Sequence, residues 1–147
     1  MITLRSQQLD RRIEKAEGAF RRLGTVEVAR QKGTPQTIVI TVTHPGWGAL
    51  TTARLFCVET WVLRHALWHL VKYAYDLMMK PGPARYGFHW HDGGYHTHCI
   101  DPAYPDRDHH YPGGPIDLFD AFDRFADFLD GKTPMTCAGL RPVQAVQ

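Results

Sequence analysis

Arg54-Leu55-Phe56-Cys57-Val58-Glu59-Thr60-Trp61-Val62-Leu63 and Leu67-Trp68-His69-Leu70-Val71-Lys72-Tyr73-Ala74-Tyr75-Asp76-Leu77-Met78 are two apolar runs separated by Arg64-His65-Ala66. How they are read decides the fold. The first is rich in Val, Phe, Thr and Trp, which suit a pleated, half-buried surface. In the second, Leu67, His69, Val71, Tyr73, Tyr75 and Leu77 alternate with Trp68, Leu70, Lys72, Ala74, Asp76 and Met78. That is the period of a strand. A strand pair turning near Arg64-His65-Ala66 fits. One long buried helix over 52–79 also fits, because Leu63, Leu67, Leu70, Ala74 and Leu77 share a helical stripe. Short apolar runs are not separated by period alone. The dominance of aromatic and β-branched side chains favours the strands.

On the N-terminal side, 25–30 and 36–43 read as strands, the second β-branched from Thr37 to Thr43. His44-Pro45-Gly46-Trp47-Gly48 reads as a loop, since Pro and Gly interrupt the pattern. Residues 4–23 read as an amphipathic helix, with Leu9, Ile13, Ala16, Phe20 and Leu23 at three- and four-residue steps. Ser6 is its expected cap and Gly24 its stop. On the C-terminal side, Lys80-Pro81-Gly82-Pro83 is a turn. Strands Arg85–His91 and Tyr95–Ile100 follow, joined at Asp92-Gly93-Gly94, and 101–115 is a loop crowded with Pro, Asp, His and Gly. Residues 117–129 form a second helix with the stripe Leu118, Phe122, Phe125, Ala126 and Leu129, capped by Asp117 and stopped by Gly131. The expectation is one α+β domain over 1–131, with a flexible tail over 132–147. It is an antiparallel β-meander of about five to six strands, with the N-terminal and C-terminal helices packed on one face.

At 147 residues the chain suits a single domain. No apolar run approaches the roughly 18 to 20 residues of a membrane span. Met1-Ile2-Thr3-Leu4-Arg5 lacks the apolar stretch of a secretory signal, so the expected setting is the cytoplasm with no membrane partner. Cys57, Cys99 and Cys137 are scattered, with no CxxC pair, and read as buried reduced thiols. Segment 1–32 is basic and segment 101–130 is rich in aspartate. The basic end could attract nucleic acid or pair with the acidic end of the same molecule. Neither a GxSxG nor a P-loop nor a GxGxxG pattern is present, which gives no support to a serine hydrolase or a nucleotide-binding fold.

The chemistry concentrates in Phe88–Cys99. Strand side chains alternate, so His89 and His91 point one way and His96 and His98 point together. A Gly93-Gly94 loop pairs His91 with His96 and His89 with His98; an Asp92-Gly93 loop pairs His89 with His96. Either register gathers four imidazoles on one face, with Phe88, Trp90, Tyr95, Thr97 and Cys99 on the other. Imidazole titrates near neutrality, so one ring can accept a proton while another donates one, as metal-independent RNA cleavage requires. Cross-strand histidines can instead share zinc or another transition metal, completed by Asp92, Asp106 or Asp108. They can also simply pack. His109 and His110 lie on the next loop and point in different directions, so one of them joins the face, where Asp108 can orient an imidazole. His65 and His69, spaced four apart, lack the glutamate of a zincin, and His44 precedes a proline.

At Asp108-His109-His110-Tyr111-Pro112-Gly113-Gly114, followed by the helix ending Phe125-Ala126-Asp127-Phe128-Leu129, the sequence resembles the small TumE-type proteins of bacterial toxin–antitoxin modules. Those carry a histidine- and glycine-containing loop between a run of strands and a closing helix. The segment Arg54–Phe56 to Tyr75–Leu77 resembles their strand pair, and the resemblance spans about 52–130. Here the paired histidines are adjacent rather than separated, and the helix at 4–23 is an addition. The resemblance implies a toxin-like protein that acts on RNA and is neutralised by an antitoxin protein.

The functional expectation is therefore a toxin-like ribonuclease without a cofactor. His89, His91, His96 and His98 supply acid and base, helped by His109 or His110 and Asp108. Arg54, Arg85, Arg107 or the basic first helix holds phosphate, and an aromatic side chain such as Trp90 or Tyr111 stacks on a base. The rival is a non-catalytic interaction or regulatory module whose His89, His91, His96 and His98 bind a transition metal or a protein partner, including a second copy as a homodimer.

Overall fold

The structure, a computed structural model, describes residues 2–48, 51–80, 84–92, 94–100 and 108–133. Both apolar runs are strands. The chain runs β1 (Thr3–Leu4), α1 (Ser6–Phe20), a 3₁₀ turn (Arg21–Leu23), β2 (Thr25–Gln31), β3 (Gln36–Gly48), β4 (Thr51–Arg64), β5 (Leu67–Lys80), β6 (Arg85–His91), β7 (Gly94–Ile100), β8 (His109–Pro112) and α2 (Leu118–Leu129). Strands β2 to β8 lie side by side in chain order, and β1 pairs with β5 beyond the ladder to β6. Every pairing is antiparallel.

The helix alternative for 52–79 fails at His65-Ala66. Both residues are left-handed, with φ of 52° and 63°, and Arg64 pairs directly with Leu67. Two left-handed central residues match the twist of a hairpin, so this turn joins β4 to β5 without a loop. Among the described residues the sheet has eight strands rather than five or six. The two additions are short edge pieces, β1 and β8, which carry too few residues to show a period. The expected loop at 44–48 is also corrected: β3 continues to Gly48, with an irregular register against β4 between His44 and Gly48. Pro and Gly bend the strand there instead of ending it.

Alternation divides the sheet into two faces. Ile38, Ile40 and Val42 of β3, Leu55, Cys57 and Trp61 of β4, Tyr73, Tyr75 and Leu77 of β5, and Tyr86 and Phe88 of β6 are buried on the first. Both helices cover that face, burying Leu9, Ala16 and Phe20 of α1 and Leu118, Phe122, Phe125 and Phe128 of α2. Ring stacking joins the helices to each other and to the sheet: Phe20 on Phe122 at 4.0 Å, Tyr86 on Phe128 at 4.9 Å and Phe88 on Phe125 at 5.7 Å between centroids. No described helix lies on the second face.

One charged group is buried among these rings. Glu59 of β4 accepts hydrogen bonds from Arg12 of α1 (2.9 Å), Trp61 Nε1 (2.9 Å) and the Tyr75 hydroxyl (3.1 Å). Arg12 also donates to Asp117 (3.1 Å), whose other oxygen caps α2 by accepting from Phe119 N. This network ties both helices to the sheet. The helix α1 is capped differently from the sequence expectation. Arg5 is the capping residue, with its backbone N–H donating to Gln8 Oε1 at 2.8 Å. Ser6 instead accepts from Trp68 Nε1.

Cys57 is a free buried thiol, and burial followed by the nearby Glu59 charge pushes its pKa up. Cys99 is disulfide-bonded, which corrects the reduced-thiol expectation there. Cys137, Arg107 and nearly all of the expected tail lie outside the described residues. Among the described residues no helix is long and apolar enough to cross a membrane.

Candidate functional site

The face of the sheet that no described helix covers carries the histidines. The register settles the hairpin: His89 faces His96 and His91 faces Gly94, the pairing expected of the second alternative, although Gly93 itself lies outside the described residues. The ring centroids of His89 and His98 are 4.3 Å apart, those of His96 and His98 4.7 Å, and those of His91 and His96 4.7 Å. Strand β8 then adds a fifth ring. His110 pairs with His98, with centroids 4.0 Å apart, whereas His109 pairs with Cys99 and stacks on Tyr111 on the opposite face. Adjacent residues on a strand alternate, which is why one of the pair joins and the other does not.

The chemistry depends on a residue that the sequence reading did not single out. Asp76 of β5 stands opposite Gly87, one strand from the histidines. Its carboxylate lies beside His89 Nε2, at 2.9 Å from Oδ1 and 3.0 Å from Oδ2. Arg85 donates to Asp76 Oδ1 through both Nε and Nη2, at 3.3 Å each. Gly87 makes this possible, because a Cβ there would lie 2.1 Å from Asp76 Oδ1. A carboxylate on Nε2 fixes the imidazole's tautomer and leaves Nδ1 as the nitrogen for chemistry. The sequence signal was present: Asp76 is the only charged residue between Tyr73 and Met79.

The electrostatics separate the rings. Burial, then the nearby His89 and His110, push the His98 pKa down to about 4, against an opposing pull from Asp108. His96 is lowered as well, chiefly by burial and then by His89, His91 and His110, although a backbone hydrogen bond at Gly94 acts the other way. His98 therefore affects stability. Its folded pKa lies below the ordinary 6.5, so the unfolded chain binds more protons between about pH 6.5 and 4. That stability is fully present above pH 6.5 and is lost as the pH falls toward 4. Urea unfolding at pH 7 and pH 4.5 should show the wild type losing about 2 kcal/mol more than His98→Gln. An equal loss in both would contradict the burial of a neutral ring.

The other expected residues divide by face. Arg54 and Arg85 both face Met78 across their ladders, so they share the histidine face. Tyr111 pairs with Thr97 on the helix-covered face and is partly buried against the core. Trp90 leaves on that face too, stacked on Tyr95 at 5.6 Å. It still reaches the site from the end of β6, where it lines a cavity of ≈ 330 Å³ with His89, His91, Lys72 and Tyr73. His65 sits in the β4–β5 turn, and His69 approaches Thr3 of β1 rather than the cluster. His44 lies opposite Ala53. Comparison with known proteins found no family model, curated protein or solved structure that matches the chain.

Proposed function

We propose that this chain is a toxin-like ribonuclease that cleaves RNA by acid–base chemistry without a metal. The observation that best supports this reading is the Asp76–His89 pair facing His96 and His98 on one open sheet face. In the reaction, the 2′-oxygen attacks the adjacent phosphorus and the bond to the 5′-oxygen breaks. One imidazole takes the 2′-hydroxyl proton and a second delivers a proton to the departing 5′-oxygen. The products are a 2′,3′-cyclic phosphate and a 5′-hydroxyl.

His89 suits one of these roles because Asp76 fixes its orientation and tautomer. His96, whose ring lies between those of His89 and His91, suits the other. Arg54 and Arg85 share this face, and their planar forks match phosphate oxygens. Trp90 offers a ring face at the adjoining cavity for an unstacked base. The resemblance at 108–114 adds the expectation of an antitoxin partner that blocks this face.

The test is cleavage of single-stranded RNA by purified protein in EDTA, with His89→Ala and His96→Ala measured alongside. Removing one acid–base group should cost roughly 10²-fold or more. Full activity in both variants would sink the histidine mechanism. Failure of the wild type to cleave any RNA would leave the face a binding surface.

A further inference from the structure

We propose that His98, Asp108 and His110 bind one transition-metal ion of the zinc class, beside the Asp76–His89 pair and independently of RNA cleavage. His98 and His110 are cross-strand partners on β7 and β8, and Asp108 immediately precedes β8, two residues before His110. One ligand atom from each of the three lies within 4.8 Å of the others.

The individual distances identify the arrangement. His98 Nδ1 is 3.6 Å from Asp108 Oδ1, and His110 Nε2 is 3.4 Å from Asp108 Oδ2. A good N–H···O bond is about 2.9 Å, so both spacings are long for direct hydrogen bonding. Zinc bonds of about 2.0–2.2 Å place tetrahedral ligands about 3.3–3.6 Å apart, so each imidazole nitrogen stands at ligand spacing from one oxygen of the Asp108 carboxylate. A second observation points the same way. His98 is only 9% exposed, and its buried Nδ1 has no hydrogen-bond partner. A buried polar atom left unmatched is costly, and a metal would satisfy it.

Two imidazoles and one carboxylate suit zinc, cobalt or nickel rather than calcium or magnesium, which prefer all-oxygen shells. The fourth position is left for water. The ion would fasten β8, a four-residue edge strand, to β7 through side chains as well as its ladder. His89, His96 and His98 form the competing trio, so variants must separate the two.

The experiment uses untagged full-length protein stripped with EDTA and dialysed. Zinc binding is followed by calorimetry and cobalt binding by visible absorption. One ion per chain is expected. Asp108→Asn and His110→Ala should each weaken it at least tenfold, while His89→Ala leaves it within a few-fold. Both altered positions are exposed, so these variants should keep the fold. No saturable binding would overturn the proposal. Binding unchanged in Asp108→Asn and His110→Ala but lost in His89→Ala would also overturn it. Cleavage in EDTA is read on metal-free protein, so failure of that activity and failure of this titration are separate results.

Discussion

Replacing His89 by alanine should lower RNA cleavage in EDTA by roughly 10²- to 10⁴-fold, the usual contribution of a positioned acid–base group. Asp76→Asn should cost up to roughly 10⁴-fold and no more than His89→Ala, because it disturbs the orientation and tautomer of His89 rather than removing it. The two residues act as a unit through the contact at 2.9 Å. The double variant should therefore be no slower than His89→Ala alone, since groups that work through one another are not additive. Gly87→Ala offers a different route to the same end. Its new methyl group would lie 2.1 Å from Asp76 Oδ1 and 3.1 Å from His89 Nε2, forcing the carboxylate to shift while removing no titratable group. Rates from these variants check the account directly. If Asp76→Asn and Gly87→Ala both cleave at the wild-type rate, the pair has no part in the reaction.

The largest stability effect should come from Glu59→Ala, with a loss of about 3–5 kcal/mol. Glu59 is 2% exposed and accepts from Arg12, Trp61 and Tyr75. Its removal leaves a buried guanidinium facing only Asp117, and strands the Trp61 and Tyr75 donors. Burial by itself would make the Arg12 charge harder to hold, and Glu59 more than reverses this, so the guanidinium pKa is raised. The cost is therefore that of an unpaired charge and not simply of one lost ion pair. An Arg12→Met/Glu59→Leu double variant should recover much of it, because well-packed apolar side chains often replace a buried ion pair without loss. Urea unfolding of the three proteins checks this. A loss below about 1 kcal/mol in Glu59→Ala would show that water reaches the network. RNA cleavage of the folded fraction should be unaffected, since Glu59 lies on the face opposite the histidines.

Much of this architecture was legible from residue pattern alone. Alternation across Leu67–Met78 identified β5, and parity across His89–His98 placed four imidazoles on one face. Period-two arguments succeed here because one face is buried, so a one-residue slip would expose the whole apolar set. The same arguments could not see across strands. Asp76 and His89 lie 13 residues apart, and only the pairing of β5 with β6 brings them together. Glu59 was hidden for the same reason, since its partner Arg12 comes from a helix 47 residues away. Strand β8 was hidden differently. His109–Pro112 lies in a segment dominated by turn-forming residues, and it is strand only because the edge of β7 is available. Trp90 and Tyr111 were grouped by chemistry, but parity sends both toward the helix side.

The most direct test of the central claim is the chemistry of the cut ends. A single-stranded RNA is incubated with wild-type protein in EDTA, beside the same strand carrying 2′-deoxynucleotides throughout. Attack by the 2′-oxygen requires 2′,3′-cyclic phosphate and 5′-hydroxyl ends from the RNA and no cleavage of the deoxy strand. Cleavage of the deoxy strand, or 5′-phosphate ends appearing only when a divalent metal is restored, would contradict acid–base catalysis by the histidine face.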